Sequence, residues 1–382
     1  MPVAARIRGS LSGAVAALAV GLSGCGKPPP YPPDLVFPAR DDRLVIRVPT
    51  VAPAGYGDPG RLDAELAALD ALGGKTADPA AAPAAHRAAL DAYLAAAFGT
   101  PAAPTLAGDG PALPELTPER LAEGGRLYRR HCLQCHGLGG DGRGPTSLGI
   151  YPHARDFRRG VFKFVSTGDG GKPRAADLAR TIRDGLPGSA MPAFALLPED
   201  QREAMAAFVV YLSVRGQVEF QTLAATLTEG DGGPSIEGEP AEFARQRRGV
   251  ILRDWERAAA APPAPAAPPP ADEAAVRRGY ELFTTKGAAD CATCHEDFGR
   301  MATYRYDVWG TVVRPADLTA PARKGGDRPE EVFHRIRGGI QPAGMPAHPA
   351  LTDTQVWDVA HFVRALPFPR DLPPDVRAKV YP

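Results

Sequence analysis

The sequence predicts a mainly α-helical protein. It would consist of two tandem small helical domains, joined by a Pro/Ala-rich linker and preceded by a Pro/Ala-rich extension. A Cys-x-x-Cys-His motif occurs twice, at Cys132–His136 and Cys291–His295, and a Met-Pro step follows each copy, at Met191 and Met345. Between the two halves, Ala258–Ala271 is almost purely alanine and proline, as is typical of a linker. The length of 382 residues and the apolar content of 44% accommodate such domains and their cores.

Residues 1–25 resemble a bacterial lipoprotein signal peptide. Arg6 and Arg8 form a positive segment, and the apolar stretch Leu11–Leu22 follows it. That stretch is shorter than the roughly 20 apolar residues that a membrane-spanning helix needs. Leu-Ser-Gly-Cys25 resembles the lipobox, which implies a lipid on Cys25 and an exported protein anchored on the periplasmic or cell-surface side of a membrane. A plain signal peptide with an incidental cysteine is the alternative.

Residues 26–116 are predicted to form a Pro/Ala-rich tether and a small helical region. Lys27–Pro33 is rich in proline and therefore extended and stiff. Arg61–Leu72 and Ala84–Phe98 are rich in alanine and leucine and have helical character. No motif in this region indicates its role, which leaves a helical cap and a docking segment as open alternatives.

The first helical domain is predicted at residues 117–218. Thr117 is a good helix cap, and Pro118 suits the first helical position. A final helix is predicted to begin near Pro198. Residues 219–271 form a connecting segment, with a Gly-rich turn at 229–233, a charged helical stretch and the linker.

The second helical domain is predicted at residues 272–367, followed by a tail at 368–382. Thr352 and Gln355 form a capping-box pattern at the start of its last helix. The two domains look like divergent repeats, because several residues recur at matching distances from the motifs. The matched pairs are Gly124 with Gly279, Tyr128 with Phe283, Ile182 with Ile336, Gly185 with Gly339, and Phe208 with Phe362.

The two Cys-x-x-Cys-His motifs carry the chemistry. This pattern is the attachment signal for a covalent c-type haem, because one helical turn presents two thiols to the two haem vinyl groups and the histidine reaches the iron from the same side. The thiols concerned are those of Cys132, Cys135, Cys291 and Cys294. Zinc bound by the paired thiolates is the competing interpretation, which the adjacent histidines and the wide separation of the pairs disfavour.

The order of helix, motif, long loop, methionine and helix resembles a dihaem bacterial c-type cytochrome, with two cytochrome c domains and a lipoprotein signal. The resemblance implies two covalently bound c-type haems and the small helical cytochrome c fold. In that fold the first and last helices cross near the haem. Gly124 and Gly279 are therefore expected to permit the close approach of these helices.

The expected proximal iron ligands are His136 and His295, and the expected distal ligands are Met191 and Met345. The methionines follow their histidines by 55 and 50 residues, and each precedes a proline, which favours extended backbone. A thioether ligand favours ferrous iron and raises the potential. The competing distal ligands are the histidines His153, His334, His348 and His361, of which His348 is the most serious.

The surroundings of the two haems are expected to differ. Gly137–Pro145 resembles the Gly-rich loop of bacterial cytochromes c, and a carbonyl there is expected to accept the N–H of the proximal imidazole. The second domain has Glu296–Arg300 at this place and an aromatic segment, Tyr304–Trp309. Unequal potentials are therefore expected. The candidate partners for haem propionates are Arg155, Arg183, Arg314 and Arg337.

These features favour an electron-transfer protein without substrate chemistry, which carries electrons between respiratory-chain partners at the outer face of a bacterial membrane. Two alternatives stay open: a dihaem cytochrome c peroxidase, and a haem subunit bound tightly to an oxidase or dehydrogenase complex. The formal net charge of zero gives no indication of nucleic acid. Within residues 117–164, nine Lys/Arg against four Asp/Glu suggest steering of an acidic redox partner.

Overall fold

The computed structural model describes residues 31–50, 62–108, 110–168, 170–228, 236, 238–260 and 268–382. The predicted signal peptide with Cys25, the Gly-rich turn at 229–233 and residues 261–267 of the linker lie outside the described residues. Within the described part, the mainly helical class and the two tandem helical domains are confirmed.

The described elements are eleven α-helices and four short strands in two antiparallel pairs. The helices are α1 (Leu62–Ala68), α2 (Ala84–Phe98), α3 (Pro118–His131), α4 (Leu133–His136), α5 (Ala175–Asp184), α6 (Glu199–Leu227), α7 (Pro240–Ala260), α8 (Glu273–Thr284), α9 (Pro329–Gly338), α10 (Asp353–Ala365) and α11 (Pro374–Val380). The strands are β1 (Leu44–Arg47), β2 (Lys75–Ala77), β3 (Arg305–Tyr306) and β4 (Val312–Val313). Strand β1 pairs with β2, and β3 pairs with β4.

The first and last helices of each domain cross at a glycine, as the repeat predicts. A Cβ on Gly124 in α3 would lie 2.2 Å from the carbonyl oxygen of Ala204 in α6. A Cβ on Gly279 in α8 would lie 2.1 Å from the carbonyl oxygen of Asp358 in α10. Real Cβ atoms do not approach that closely, so only glycine permits these crossings.

Aromatic rings pack beside both crossings. The rings of Tyr128 and Phe208 lie 5.3 Å apart in the first domain, and those of Phe283 and Phe362 lie 5.4 Å apart in the second. All four side chains are buried. These separations are typical of tilted and edge-to-face aromatic pairs, and they place the same contact in the core of each domain.

The structure confirms the predicted starts of α3 and α10, which depend on hydrogen bonds between near neighbours in the chain. The Thr117 hydroxyl accepts a hydrogen bond from the backbone N–H of Arg120 at 3.2 Å. At α10, the Thr352 hydroxyl accepts from the N–H of Gln355 at 3.3 Å, and the Gln355 side chain accepts from the N–H of Thr352 at 2.9 Å. Each bond satisfies a backbone N–H group that the first turn leaves without an intrahelical partner.

Helix α6 extends past residue 218, where the first domain is predicted to end, and continues to Leu227. Its residues from Ala204 to Glu219 are buried on every side of the helix. A helix buried all round must be enclosed by other elements, and here α3, α5 and α7 pack against it. The connecting segment is thereby part of the first domain's core.

The N-terminal region also contributes to that core. Leu90, Leu94 and Phe98 of α2 are buried in the same hydrophobic cluster as the helices of the first domain. The buried hydroxyl of Tyr211 donates to the carbonyl oxygen of Phe98 at 2.6 Å. Among the described residues, no helix is both long enough and apolar enough to span a bilayer.

Candidate haem sites

Both Cys-x-x-Cys-His motifs form one tight turn after the first helix of their domain, directly after α3 in the first domain and separated from the end of α8 by six residues in the second. The backbone N–H of His136 donates to the carbonyl oxygen of Cys132 at 2.9 Å, and that of His295 donates to Cys291 at 2.9 Å. The first motif lies on α4, whereas the second lies on a 3₁₀ turn at Cys291–Thr293. The same helical closure therefore holds each pair of thiols beside its histidine.

A backbone carbonyl orients the histidine of each motif. His136 Nδ1 lies 3.0 Å from the carbonyl oxygen of Arg155, and His295 Nδ1 lies 3.0 Å from that of Ala316. Because a carbonyl only accepts hydrogen bonds, the proton must be on Nδ1. The other ring nitrogen, Nε2, is therefore left in the form that ligates a metal.

The carbonyl that orients His136 does not come from the Gly-rich loop at 137–145, where it was expected. That loop folds back over α4 instead: a Cβ on Gly144 would lie 2.3 Å from the carbonyl oxygen of Gln134. The Tyr128 hydroxyl also donates to the carbonyl oxygen of Gly137 at 2.8 Å. The loop is thereby fixed against the motif, and a later segment of the chain reaches the imidazole.

The two histidine pockets differ, as the sequence predicts. In the first, the ring of Phe157 stacks on His136 with centroids 4.5 Å apart. In the second, His295 lies 6.4 Å from Phe283, which stacks on Phe298. Phe298 has a φ of +58°, a left-handed conformation that is uncommon for an aromatic residue. The rebuilt Glu296–Arg300 segment therefore changes which ring lies beside the ligand.

A glycine with positive φ lies against each Met-Pro loop. Gly185 has a φ of +65°, and a Cβ there would lie 2.8 Å from the carbonyl oxygen of Met191. Gly339 has a φ of +69°, and a Cβ there would lie 2.5 Å from the carbonyl oxygen of Met345. Both the conformation and the space call for glycine, which gives a physical reason for this pair in the repeat.

Each methionine loop lies next to the Cys-x-x-Cys-His segment of its own domain. The ring of Phe194, three residues after Met191, packs edge-on against His131, with centroids 5.7 Å apart. In the second domain, one guanidinium bridges the two segments. Arg305 donates to the carbonyl oxygen of Gly344 at 3.1 Å and lies 3.6 Å from Cys294 Sγ.

The cysteine and histidine side chains of both motifs are desolvated. Burial raises the pKa of Cys132 and of Cys291 to about 12. Burial lowers the pKa of His136 and of His295, which favours the neutral imidazole that an iron needs. Across the described ranges, no group of three or more His, Cys, Asp or Glu side chains is arranged to hold a metal ion.

Residues 119–209 and 274–363 each match the family model described as cytochrome c oxidase, cbb3-type, subunit III. The protein is a c-type cytochrome with two cytochrome c domains. A solved chain from a reducing HAO-like protein complex of Kuenenia stuttgartiensis is similar to it, with 26% identity and a TM-score of 0.47. That similarity covers 67% of this cytochrome and 99% of the other chain. No curated protein matches the chain.

Three of the competing histidines of this cytochrome have other contacts. His153 Nε2 lies 3.6 Å from a carboxylate oxygen of Glu65. His361 is buried in α10, where its ring stacks on Trp357 with centroids 6.2 Å apart. The ring of His334 packs edge-on against Phe333 at 5.9 Å. His348 lies on the Met345 loop, and its backbone carbonyl accepts from Arg337 at 3.0 Å.

The arginines expected to bind haem propionates have protein partners in three cases. Arg183 forms an ion pair with Asp184 at 2.7 Å, and Arg337 holds the Met345 loop through carbonyl oxygens. The guanidinium of Arg155 lies 3.4 Å above the ring of Trp309 in the second domain. The role predicted for Arg314 stays a prediction.

The sequence interpretation missed the residues that act through their backbone. Ala316 supplies the carbonyl that orients His295, although nothing in an alanine side chain indicates such a role. The sequence does contain one signal for these carbonyl groups, because an aspartate directly follows each residue whose carbonyl accepts the hydrogen bond from a histidine. Asp156 comes directly after Arg155, and Asp317 comes directly after Ala316. Pairing these two aspartates identifies both carbonyls.

Proposed function

We propose that this c-type cytochrome carries electrons between respiratory-chain partners through two covalently bound haems. Cys132 and Cys135 would hold one haem, and Cys291 and Cys294 the other. In each domain a histidine and a methionine would occupy the two axial positions of the iron. The haem would supply the redox change, and the protein would attach, orient and enclose it without substrate chemistry of its own.

The observation that carries this proposal is the closed arrangement repeated in both domains. Each has a histidine with Nδ1 bonded to a carbonyl, and each has a methionine loop against which a glycine of positive φ packs. Two axial protein ligands leave an iron no position for a substrate. An electron carrier functions with both axial positions of its iron filled, whereas a peroxidase must open a position on one iron.

Replacement of the methionines one at a time tests this ligation. We expect Met191→Ala and Met345→Ala each to remove about half of the near-infrared absorption of sulfur-ligated ferric haem, and to allow cyanide to bind rapidly at that haem. The unaltered protein should bind cyanide slowly at both haems. Met301→Ala is the matched control, because Met301 is 69% exposed.

One outcome of that experiment would contradict an electron carrier, and another would contradict the methionine ligation. Rapid cyanide binding to the unaltered protein would show an open iron and, with fast peroxide turnover, would favour the peroxidase alternative. Full retention of the near-infrared band in either Met variant would show that the replaced residue is no ligand, and His348 would then be tested next.

A respiratory oxidase is the partner that the family description favours. The matched model describes subunit III of a cbb3-type cytochrome c oxidase, so we include a tightly bound subunit of such a complex as the second form of this function. Extraction in mild detergent separates the two forms. A subunit co-purifies with an oxidase, and a free carrier does not.

We also propose that the protein is exported and held at the outer face of a bacterial membrane by a lipid on Cys25. The support is the order of positive segment, short apolar stretch and Leu-Ser-Gly-Cys25. Cells fed labelled palmitate should label the protein, and Cys25→Ser should abolish the label. Label that persists in the variant would exclude Cys25 as the anchor.

A further inference from the structure

A hairpin of the second domain is inserted against the first domain. The hairpin, defined as residues 305–313, comprises β3, a turn and β4, with Arg305 paired to Val313 and Tyr306 to Val312. At its turn, Asp307 and Trp309 are only 1% and 6% exposed. The surface that buries them belongs largely to the first domain and the N-terminal region.

Trp309 contacts the segment that orients His136. Its indole Nε1 donates to the carbonyl oxygen of Asp156 at 3.1 Å, and the guanidinium of Arg155 lies 3.4 Å above its ring. The carbonyl of Arg155 is the one that accepts from His136 Nδ1 at 3.0 Å. One side chain of the second domain therefore holds both residues of the segment behind the first domain's proximal ligand.

Asp307 binds the turn of the hairpin to the first domain through ion pairs. Its carboxylate lies 3.0 Å from Lys163 Nζ and 3.9 Å from a guanidinium nitrogen of Arg155. The same carboxylate accepts from the backbone N–H groups of Trp309 and Thr311, each at 3.1 Å. A buried charge is tolerated only with such partners, so the turn and the first domain are matched to each other.

The other end of the hairpin is tied to the methionine loop of its own domain. The N–H of Val308 donates to the carbonyl oxygen of Pro342 at 2.9 Å. Arg305 donates to the carbonyl oxygen of Gly344, beside Met345, and lies against Cys294 Sγ. The hairpin therefore contacts the proximal side of one site and the distal loop of the other.

We propose that Trp309 is a positioning residue for the first haem. By holding the carbonyl of Asp156 and the side chain of Arg155, it keeps the Arg155 carbonyl aimed at His136. That hydrogen bond makes the imidazole a stronger donor to iron and lowers the potential. The first haem's potential thus depends on the docked second domain. This inference rests on the two haems of the proposed function.

Trp309→Phe in the full chain tests the inference. It keeps an aromatic ring under Arg155 but removes the indole donor to Asp156. Trp357→Phe, at a buried tryptophan in the second domain's core, is the matched control. Redox titration with visible spectra measures both potentials, and Met191→Ala identifies the first haem because only that haem's potential should fall. Electron paramagnetic resonance reports the orientation of the His136 ring.

We expect Trp309→Phe to raise the first haem's potential and change its g values, with the second haem and the Trp357→Phe control unchanged. An unaltered or lowered first potential, or the same shift at both haems or in the control, would overturn the inference. If the variant fails to assemble, Tyr151→Phe is titrated by the same criteria, because the Tyr151 hydroxyl donates to Val312 in the same interface at 3.1 Å. An unaltered protein without two haems would instead refute the proposed function.

Discussion

Asp42 shows how a single carboxylate joins the N-terminal segment to the first domain. Its side chain is 6% exposed and lies 2.7 Å from Arg158 and 3.0 Å from Arg40. Arg158 also contacts Asp156 at 2.8 Å, which places the network next to the His136 segment. Burial alone would raise the pKa of Asp42, but Arg158 and Arg40 outweigh it and lower the pKa from 3.8 to about 2.

This depressed pKa predicts an acid-sensitive contribution to stability. A carboxylate with a lower pKa in the folded state stabilises the fold above its unfolded pKa, and that stability is lost as the pH falls through the folded value. For Asp42 the window is pH 4 to 2, and the loss is about 2 kcal/mol. We expect Asp42→Asn to reduce the pH dependence of the free energy of unfolding over this window, as measured by urea unfolding at each pH.

The exposed Asp34 supplies the control for that measurement, as Asp34→Asn should leave the pH profile unchanged. If Asp42→Asn and the unaltered protein lose stability in parallel from pH 4 to 2, the ion pairs of Asp42 contribute nothing that depends on its charge.

At the scale of elements, the helix crossings determine the two haem domains. Helices α3 and α6 pack in the first domain, and α8 and α10 pack in the second, each with a glycine at the contact. Thr117 and Thr352 fix where two of these helices begin.

Replacement of the crossing glycine should therefore be costly. We expect Gly279→Ala to destabilise the second domain by about 1–3 kcal/mol, because its Cβ would lie 2.1 Å from the Asp358 carbonyl oxygen. Gly249→Ala in α7 is the matched control, since its Cβ would approach only a terminal atom of Arg253 at 3.5 Å. That control should be neutral or stabilising by about 1 kcal/mol. Urea unfolding measures both, and equal effects would refute the crossing argument.

At the scale of the whole molecule, the basic excess of residues 117–164 is largely internal. Several of its cations form ion pairs with acids elsewhere in the chain, and some of these pairs are buried. The pairs with acids outside the segment are Arg120 with Glu203, Arg155 with Asp307, Arg158 with Asp42, and Lys163 with Asp307. Part of the charge that suggested an acidic redox partner is therefore used within the protein, and the two pairs with Asp307 join the two domains.

The packing of the whole chain joins its parts through several independent contacts. The hairpin at 305–313 meets the first domain, and its turn at Gly310 lies against Val45, Leu66 and Leu69 of the N-terminal region. On the opposite side, Arg180 of α5 lies 3.5 Å from Glu331 of α9. The Pro/Ala linker alone would leave the domains free to move, whereas these contacts define one arrangement of the two sites.

The sequence by itself determined the features that depend on neighbours along the chain. Each haem motif is five residues long, the cap of α10 spans four, and the repeat places Gly124 and Gly279 at equivalent positions. Such features can be predicted from the sequence because local backbone geometry restricts which residue types can occupy each position.

Only the tertiary structure decided how distant segments meet. It placed the Arg155 carbonyl on His136, α2 within the first domain's core, and Trp309 against the segment that bonds to His136. Trp309 and Asp156 are separated by 153 residues, and no spacing along the chain relates them. The physical reason is that these contacts arise from the packing of whole domains, which no local spacing specifies.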